Sequence, residues 1–531
     1  MKMKVAIIAP PYPLAEAPAP PLGVTYVAAA FAASGAEVRI FDYIVRRYTE
    51  KKLREELETF RPDIVGATSV TLNFPPAAAI LEDVKRADPS IITMMGGPHV
   101  SFTAANTLAG YPGIDLIVMG EGEETIRELV ESGIRKELLP GIKGIAYRKK
   151  GAIEVNDPRE FIPDLDSLPQ PARHLLPLSR YQALGYPISL ITGRGCPYEC
   201  IFCQGRRMVG KRIRQRSAIR VVDEIAEILS YGINRINVAD DLFVTNKKKV
   251  REVCQEINKR GLKFTWSAFA RVNTVDRETL EIMRDTGCDS VSFGVESGNP
   301  EMLARIRKGI TLDQVRLAVN LCNEVGILAH TSFIAGLPGE SPETLEDTKK
   351  FAASLGSLYG YHILAPFPGT TVREKVAEFD LEILTDNWVQ YDANRAITRT
   401  SKLSPEDINA FVDDFEGEIM RGWEKQVRNY QTGANSPAED LQVGGYFRTQ
   451  LVYRLLSEDL IETEGASNSS ETIDKSRELL CERITKKTGA DGSLVEKTID
   501  DFIGKGYIKN RRDQENLSWY WTHNNKADVL P

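Results

Sequence analysis

Gly193-Arg-Gly-Cys-Pro-Tyr-Glu-Cys-Ile-Phe-Cys-Gln-Gly205 crowds three cysteines into one short loop, directly after the apolar run from Ile188 to Ile191. Three thiolates on one loop can hold three corners of a cubane iron–sulfur cluster, and the fourth iron is then free to bind another molecule. The glycines let the backbone turn tightly around a bulky inorganic core, and Phe202 can shield that core from water. The candidate metal ligands are Cys196, Cys200 and Cys203.

Two simpler interpretations of this loop are three unrelated buried thiols and a zinc site that lacks its fourth ligand. Structural zinc sites usually take pairs of ligands from two separated places, and the sequence contains no second CxxC pair and no HxxxH pair. The spacing therefore favours a cluster. The other four cysteines lie on apolar patterns, where free cysteine behaves as a small hydrophobe. We expect these four to pack in the core: Cys254, Cys288, Cys322 and Cys481.

The CxxxCxxC spacing, with an aromatic residue before the last cysteine, resembles that of the radical S-adenosylmethionine (SAM) superfamily. The resemblance implies a [4Fe–4S] cluster whose open iron binds SAM. One electron, from a donor such as flavodoxin or ferredoxin, would cleave SAM and release a 5′-deoxyadenosyl radical, which abstracts hydrogen from an unactivated carbon. The cofactors would do this chemistry while the protein positions them and excludes water, so no side chain is assigned as a catalytic residue.

The composition bounds the remaining possibilities. At 531 residues the chain is long enough for two to four domains, and 42% hydrophobic with 27% charged residues is ordinary for soluble globular protein. A net charge of −7 gives no electrostatic reason to expect nucleic-acid binding. No apolar run is long enough to predict a membrane span. Prolines interrupt the apolar N-terminus, so we expect a buried strand there rather than a signal peptide, and a cytoplasmic protein.

Residues 1–140 alternate short apolar runs with helical patterns. Such runs are typical of parallel strands that are buried on both faces. Their alternation with helices predicts an α/β domain with a Rossmann-like, doubly wound sheet, which binds ligands at the carboxyl ends of its strands. The predicted strands are 5–9, 38–43, 64–69, 91–95 and 116–119.

The loops after these strands carry small and polar residues. Any one loop could be an ordinary turn, but together with residues 21–26 they resemble the cobalamin-binding domain of one large branch of radical SAM enzymes. Small residues there would let the flat corrin approach the backbone. The candidate cobalamin-binding residues are Pro11, Tyr12, Gly23, Ser69, Thr71, Asn73, Gly96, Gly97, Pro98, His99, Gly120, Glu121, Gly122 and Glu123.

The sequence has no Asp-x-His-x-x-Gly motif, so it offers no histidine as the lower axial ligand of cobalt in the usual way. In the resembled branch this absence is common, and the lower face meets a non-histidine side chain or solvent. His99 is a candidate for contact with the cofactor, although a histidine in such a loop is more often simply hydrogen-bonded.

Residues 141–185 are predicted to form a linker, with a hairpin at 142–155 followed by a segment rich in Pro and Asp. Residues 186–390 repeat six strand–helix units, which predicts a partial (β/α)6 barrel whose reacting groups lie at the carboxyl ends of the strands. The polar residues fall at those ends.

A barrel rim that binds SAM needs acceptors for the ammonium and ribose groups and a cation for the carboxylate. Each polar rim residue alone could be a helix cap or a rim salt bridge, but their order along the chain is similar to that of the radical SAM core. The resemblance implies contact with SAM for these candidates: Phe202, Asp240, Asp241, Arg271, Glu296, Gly336 and Gly339.

Residues 391–531 are predicted to be mainly helical, and the segment from 493 to 521 resembles a helix followed by a two-stranded wing. We expect this region to cap the barrel mouth. Peptide docking by edge pairing is the alternative. Acidic residues along the candidate recognition helix disfavour DNA binding, because phosphate repels them.

Taken together, these features predict a cobalamin-dependent radical SAM C-methyltransferase, in which methylcobalamin gives its methyl group to a carbon radical on a small-molecule or peptide substrate. One alternative is an oxidative cyclase or rearrangement enzyme, like the anaerobic magnesium-protoporphyrin ester cyclase, which shares this architecture. Another is a non-catalytic sensor that binds a cluster and cobalamin.

Overall fold

The structure, a computed structural model, describes residues 2–524. Its N-terminal domain is built on a seven-stranded sheet with the order β2-β1-β3-β4-β5-β6-β7. The strands are β1 (Lys4–Ala9), β2 (Glu37–Asp42), β3 (Ile64–Thr68), β4 (Ile92–Gly96), β5 (Leu116–Val118), β6 (Ile145–Lys149) and β7 (Ala152–Val155). The helices between them are α1 (Leu22–Ala33), α2 (Glu50–Phe60), α3 (Phe74–Ala87), α4 (Pro98–Gly110) and α5 (Glu123–Ser132).

The first five strands of this sheet pair in parallel, which confirms the predicted doubly wound fold. Helices α1 and α5 pack on one face of the sheet and α2, α3 and α4 on the other. The hairpin predicted as part of a linker instead extends this sheet, because β6 pairs antiparallel with β5 and β7 with β6. The first domain therefore reaches further along the chain than its parallel strands alone.

The central domain is a six-stranded, wholly parallel sheet with the order β15-β14-β13-β12-β11-β8, which confirms the predicted partial barrel. Its strands are β8 (Ile188–Leu190), β11 (Arg235–Val238), β12 (Thr265–Ala270), β13 (Cys288–Glu296), β14 (Leu328–Ala335) and β15 (Leu358–Ile363), and the short hairpin strands β9 (Gly193–Arg194) and β10 (Arg214–Gln215) flank the cysteine loop. The helices are α6 (Leu178–Leu184), α7 (Gly205–Val209), α8 (Ala218–Ser230), α9 (Lys247–Lys259), α10 (Arg277–Asp285), α11 (Pro300–Arg305), α12 (Leu312–Val325) and α13 (Pro342–Ala353).

The inner face of the barrel is open and carries both polar and apolar side chains. Along β14 every second residue is buried against the outer helices, while His330 faces the lumen and is exposed. Ser267 of β12 donates a hydrogen bond to Asn237 of β11 at 3.0 Å across this inner face. Phe269 and Leu328 share this face and are also exposed, so the lumen is accessible rather than filled as in a closed barrel.

The remaining elements are α14 (Thr371–Glu374), β16 (Glu382–Ile383), β17 (Thr398–Arg399), α15 (Pro405–Thr432), α16 (Pro437–Ser457), α17 (Leu460–Glu464), β18 (Ala466–Asn468), α18 (Ile473–Thr488), α19 (Gly492–Gly504), β19 (Ile508–Arg512) and β20 (Asn516–Trp521). The long helix α15 covers the last barrel strand, β15. Phe411 and Phe415 of α15 pack on Tyr361 of β15. Strands β18, β20 and β19 form a small sheet beside α18 and α19, as expected for a winged helix. Within residues 2–524, the helices include none that is long and apolar enough to cross a membrane.

The winged module lies against α6 and the first domain rather than over the cysteine loop. Ser179 of α6 bonds Thr522 at 2.7 Å, and Arg180 stacks on Trp521 at 5.4 Å. Tyr181 in turn donates to Asp42 at the end of β2, at 2.8 Å. The module thus differs from the expected cap on the barrel mouth, because its apolar surface is covered by α6 instead.

Candidate active site

The cysteine loop is held in a sharp turn between β9 and β10. Gly195 has a φ of +112°, and a Cβ atom there would lie 2.3 Å from the carbonyl oxygen of Arg212. The amide of Cys196 donates to the carbonyl of Gly210 at 3.0 Å. Only glycine fits at position 195. The loop therefore presents its three free thiols on one turn, with Cys196 and Cys200 partly buried and Cys203 exposed.

Two consecutive carboxylates at the end of β11 support this loop. Asp240 accepts hydrogen bonds from the amide of Thr192 at 2.6 Å and from its hydroxyl. Burial raises the pKa of Asp240 to about 6, against the lowering effect of these bonds. Asp241 accepts from the amide of Gly195. Both predicted SAM ligands are thus observed positioning the cysteine loop, and direct contact with SAM stays a prediction for them.

Arg271 lies beside the cysteine loop, and its predicted contact with SAM stays a prediction. Its guanidinium stacks on Tyr198 at 3.5 Å, and Nη1 lies 3.8 Å from the Sγ atom of Cys200. Nη2 donates to the carbonyl oxygens of Lys308 and Gly309. These contacts hold a buried cation at the edge of the candidate cluster site.

Glu296, at the end of β13, has a φ of +74°, which is rare for a residue with a side chain. Its Oε1 atom accepts from Lys308 Nζ at 2.7 Å, and both side chains are buried. Lys308 Nζ also lies 5.8 Å from the centre of the Phe202 ring. A Cβ atom at Gly294 would lie 2.4 Å from Glu296 Oε1, so a larger residue there would displace the Glu296 carboxylate. Sequence reasoning missed Lys308, because a lysine before a capped helix looks like any surface lysine.

The 336–340 loop follows β14 and contains two of the predicted SAM-binding glycines. Gly336 and Gly339 have φ values of +84° and +71°. Glu340 folds back to accept from the amides of Gly336 at 2.6 Å and Leu337 at 3.1 Å. A Cβ atom at Gly339 would collide with the guanidinium of Arg305. The turn explains both glycines, and their contact with SAM remains a prediction.

The first domain contains a pocket between α1, α5 and the strand ends. Its lining is mostly apolar and includes Gly66, where a Cβ atom would lie 3.3 Å from the side chain of Met94. An apolar lining of this kind suits a flat aromatic group, such as the base on the nucleotide tail of cobalamin. The lining residues are Ile7, Val24, Val27, Phe31, Gly66, Ala67, Thr68, Met94, Met95, Gly96, Gly97, Val118, Gly120, Gly122 and Ile126.

The 68–73 loop and the 96–99 loop pack against each other beside this cavity. Gly97 has a φ of +107°, and a Cβ there would lie 2.5 Å from the carbonyl oxygen of Ser69. Asn73 accepts from the amide of Val70 at 2.9 Å. Thr71 lies 3.3 Å from Nδ1 of His99. The contacts of these candidate residues therefore lie within and between the two loops.

His99 is buried and stacks on Phe74, with ring centres 4.1 Å apart, and Trp388 meets it edge-on at 4.9 Å. Burial, aided by Arg373, lowers the pKa of His99 to about 4, so it is neutral at physiological pH. It links the first domain to the segment after the barrel. Of the other candidates, Pro11 and Tyr12 are partly buried, Pro98 begins α4, and Gly23 is exposed on α1.

Glu121 and Glu123 point away from the cavity and toward the cysteine loop. Glu121 bonds Arg214 at 2.8 and 2.9 Å and Arg194 at 3.1 Å, and Glu123 bonds Arg194 at 2.6 Å. Burial raises the pKa of Glu121, but hydrogen bonds from Arg214 and the amide of Ile162, with the charge of Arg194, lower it overall. Both carboxylates, predicted to bind cobalamin, are engaged in a buried contact between the two domains.

Comparison with known proteins agrees with this architecture. The B12 binding domain model matches residues 15–130, and the Radical SAM superfamily model matches residues 190–352. A protein of Pyrococcus horikoshii named as an uncharacterized methyltransferase is 36% identical over 418 residues, which is 77% of this chain and 91% of that protein. The chain belongs to the radical SAM superfamily. It is a member that also has a B12-binding domain.

Two further relatives of this radical SAM enzyme are informative. The anaerobic magnesium-protoporphyrin IX monomethyl ester cyclase of Rubrivivax gelatinosus is 31% identical, over 68% of this chain and 68% of that enzyme. The structure of the radical SAM methyltransferase TsrM from Kitasatospora setae, with cobalamin and a [4Fe–4S] cluster bound, matches with a TM-score of 0.64 and 22% identity over 78% of this chain and 85% of that one. The domains assign the enzyme a [4Fe–4S] cluster, SAM and cobalamin as cofactors.

Proposed function

We propose that this radical SAM enzyme is a cobalamin-dependent C-methyltransferase. The observation that carries the proposal is that the apolar cavity of the first domain and the cysteine loop of the barrel meet across one short loop, at 120–123. The methyl carrier and the radical source would then both face the same space between the two domains. The relative from Pyrococcus horikoshii, named as a methyltransferase, supports this choice.

The residues present suit the three cofactors. Cys196, Cys200 and Cys203 would ligate the cluster. When bound, the cluster and SAM supply the radical that removes hydrogen from the substrate, and methylcobalamin supplies the methyl group. Arg271 and Lys308 are two buried cations beside the loop.

Charge complementarity assigns roles to the groups around the loop. Arg271 offers a planar guanidinium to the carboxylate of SAM. The carboxylate of Glu296 suits the SAM ammonium, and Lys308 pairs with it beside the ring of Phe202. The rings of Tyr198 and Phe202 shield the loop from water.

The proposal is tested by asking whether SAM methylates the bound cobalamin. The enzyme is purified anaerobically with hydroxocobalamin, reduced, and supplied with SAM that carries a labelled methyl group. We expect labelled methylcobalamin and S-adenosylhomocysteine in equal amounts, and 5′-deoxyadenosine from the same reduced preparation. A preparation that holds iron and cobalt but leaves cobalamin unmethylated would contradict the methyltransferase.

The same experiment addresses the alternatives. A cyclase-type enzyme, favoured by the 31% identity to the magnesium-protoporphyrin ester cyclase, would yield 5′-deoxyadenosine without S-adenosylhomocysteine. A non-catalytic sensor would yield neither product. A flavodoxin or ferredoxin as electron donor, and a small molecule or peptide as substrate, complete the proposal.

A further inference from the structure

The two faces of the loop between β5 and α5 contact different parts of the protein. Gly120 and Gly122 line the apolar cavity of the first domain. The residues that alternate with them, Glu121 and Glu123, reach in the other direction to the β9–β10 hairpin. One four-residue segment therefore touches both the cavity assigned to cobalamin and the hairpin that carries the cysteine loop.

The hairpin side of this contact is closely tied to the cysteines. Arg194 and Arg214 are paired residues of β9 and β10, and Gly195 alone separates Arg194 from Cys196. Only 5–11% of the four ion-paired side chains is exposed. Arg214 also donates to the carbonyl oxygens of Ile162 and Val209, both at 2.6 Å. We call these two glutamates and two arginines the interdomain clamp.

The clamp is electrically balanced, with two carboxylates facing two guanidinium groups. A buried charge that loses its partner is strongly unfavourable, so the hairpin docks favourably only when the 120–123 loop holds both carboxylates outward. The 120–123 loop cannot move into the cavity without pulling both carboxylates away from the two arginines. Filling the cavity should therefore favour the docked hairpin.

We propose that Glu121 and Glu123 are positioning residues that couple cobalamin binding in the cavity to ordering of the cysteine loop. The inference rests on the proposed function, which assigns cobalamin to this cavity. Such coupling is reciprocal, because each ligand must change the affinity for the other by the same factor. A cluster bound to the cysteine loop therefore tightens the binding of cobalamin.

Anaerobic titration with hydroxocobalamin tests this reciprocity. The dissociation constant is measured by equilibrium dialysis for the full chain with and without its reconstituted cluster. For the unmodified protein we expect tighter binding in the cluster-loaded form by at least about five-fold, the lower end of ordinary coupling. In Glu121→Gln/Glu123→Gln the two constants should agree within about two-fold. Glu124→Gln is the matched control, since Glu124 pairs with Arg127 on the surface of α5, and it should keep the full ratio.

A second variant and a second measurement distinguish a loss of coupling from a folding defect. Glu123→Gln leaves every bond of Glu121 intact, so it should show an intermediate ratio. Hydrogen exchange over residues 193–215 should slow when hydroxocobalamin is added to the unmodified protein, and should not slow in the double variant. Equal constants for the cluster-loaded and cluster-free protein, or an unchanged ratio in the double variant, would overturn the inference and leave the proposed function standing. No binding of hydroxocobalamin to either form would overturn both.

Discussion

Glu340 is a buried carboxyl group with no cationic partner within residues 2–524, and replacing it by glutamine should stabilise the enzyme in a pH-dependent way. Its Oε2 atom accepts two backbone amides, while Oε1 has no hydrogen-bond partner among the described residues. Burial raises its pKa from 4.5 to about 8, against the lowering effect of both amides. In the unfolded chain the group ionises at the lower value.

The sign follows from proton linkage. Below about pH 4.5 both states hold the proton, and as the pH rises toward 8 the unfolded state releases it first, so folding loses stability. At pH 7 this loss is about 3 kcal/mol, at about 1.4 kcal/mol for each of roughly 2.5 pH units. Glutamine can still accept both amides of the 336–340 loop but cannot ionise. Its NH2 group places two N–H donors where the protonated acid has one O–H, and this added cost does not vary with pH.

Urea denaturation of the full chain, followed by far-ultraviolet circular dichroism, measures the effect. The stability gained by Glu340→Gln should grow by about 3 kcal/mol between about pH 5.5 and pH 8.5. Glu343→Gln is the matched control, because Glu343 is a nearby carboxylate in the first turn of α13 that bonds Ser341. A gain that does not vary with pH, or a variant less stable than the unmodified protein at pH 8.5, would refute the reasoning.

Three more substitutions test the cofactor sites. Cys200→Ala should abolish the charge-transfer absorbance of the cluster and all SAM cleavage; retained 5′-deoxyadenosine formation would contradict the cluster assignment. Val27→Trp should fill the cavity and weaken hydroxocobalamin binding by about ten-fold or more, as overpacking predicts, with unchanged iron content. The exposed Ala32→Trp on the same helix is its control, and equal weakening in both would mean that the corrinoid lies elsewhere. Lys308→Met should lower the free energy of unfolding by about 3 kcal/mol, because it leaves the buried carboxylate of Glu296 unpaired. Adding Glu296→Gln to the Lys308→Met variant should restore the melting temperature but not SAM cleavage. Full recovery of both would show that Lys308 and Glu296 do not belong to the SAM site.

Local patterns predicted the two sheets well. Apolar runs such as Val5–Ala9 are buried almost completely in the structure, and alternation with helices identified both parallel sheets. The edge hairpin of the first domain was harder to place. Its strands are short and β7 is mostly exposed, so the pattern could not distinguish a free hairpin from one that extends a sheet.

The candidate site was predicted less completely, because sequence order does not reveal which side of a loop each residue faces. In the 120–123 loop glycines and glutamates alternate, and the sequence pattern predicts one ligand, cobalamin, for all four. The structure divides them, since the partners of Glu121 lie 73 and 93 residues away. Gly97 illustrates the same difficulty. Its contact with Ser69 explains the glycine without any ligand, so a bulky residue there would disturb the loop before it reached a cofactor.

Contacts with the first domain bracket the cysteine loop on both sides. Before the cysteines, Arg194 joins the interdomain clamp. After them, Arg207 of α7 stacks on Phe102 of α4 at 5.2 Å and donates to the carbonyl of Gly369 at 2.9 Å, and a Cβ at Gly369 would lie 2.4 Å from the Phe102 ring. A swing of the first domain would break buried ion pairs at one contact and close packing at the other. We therefore expect the two cofactor domains to keep their separation during turnover, with SAM and the substrate as the parts that move between them.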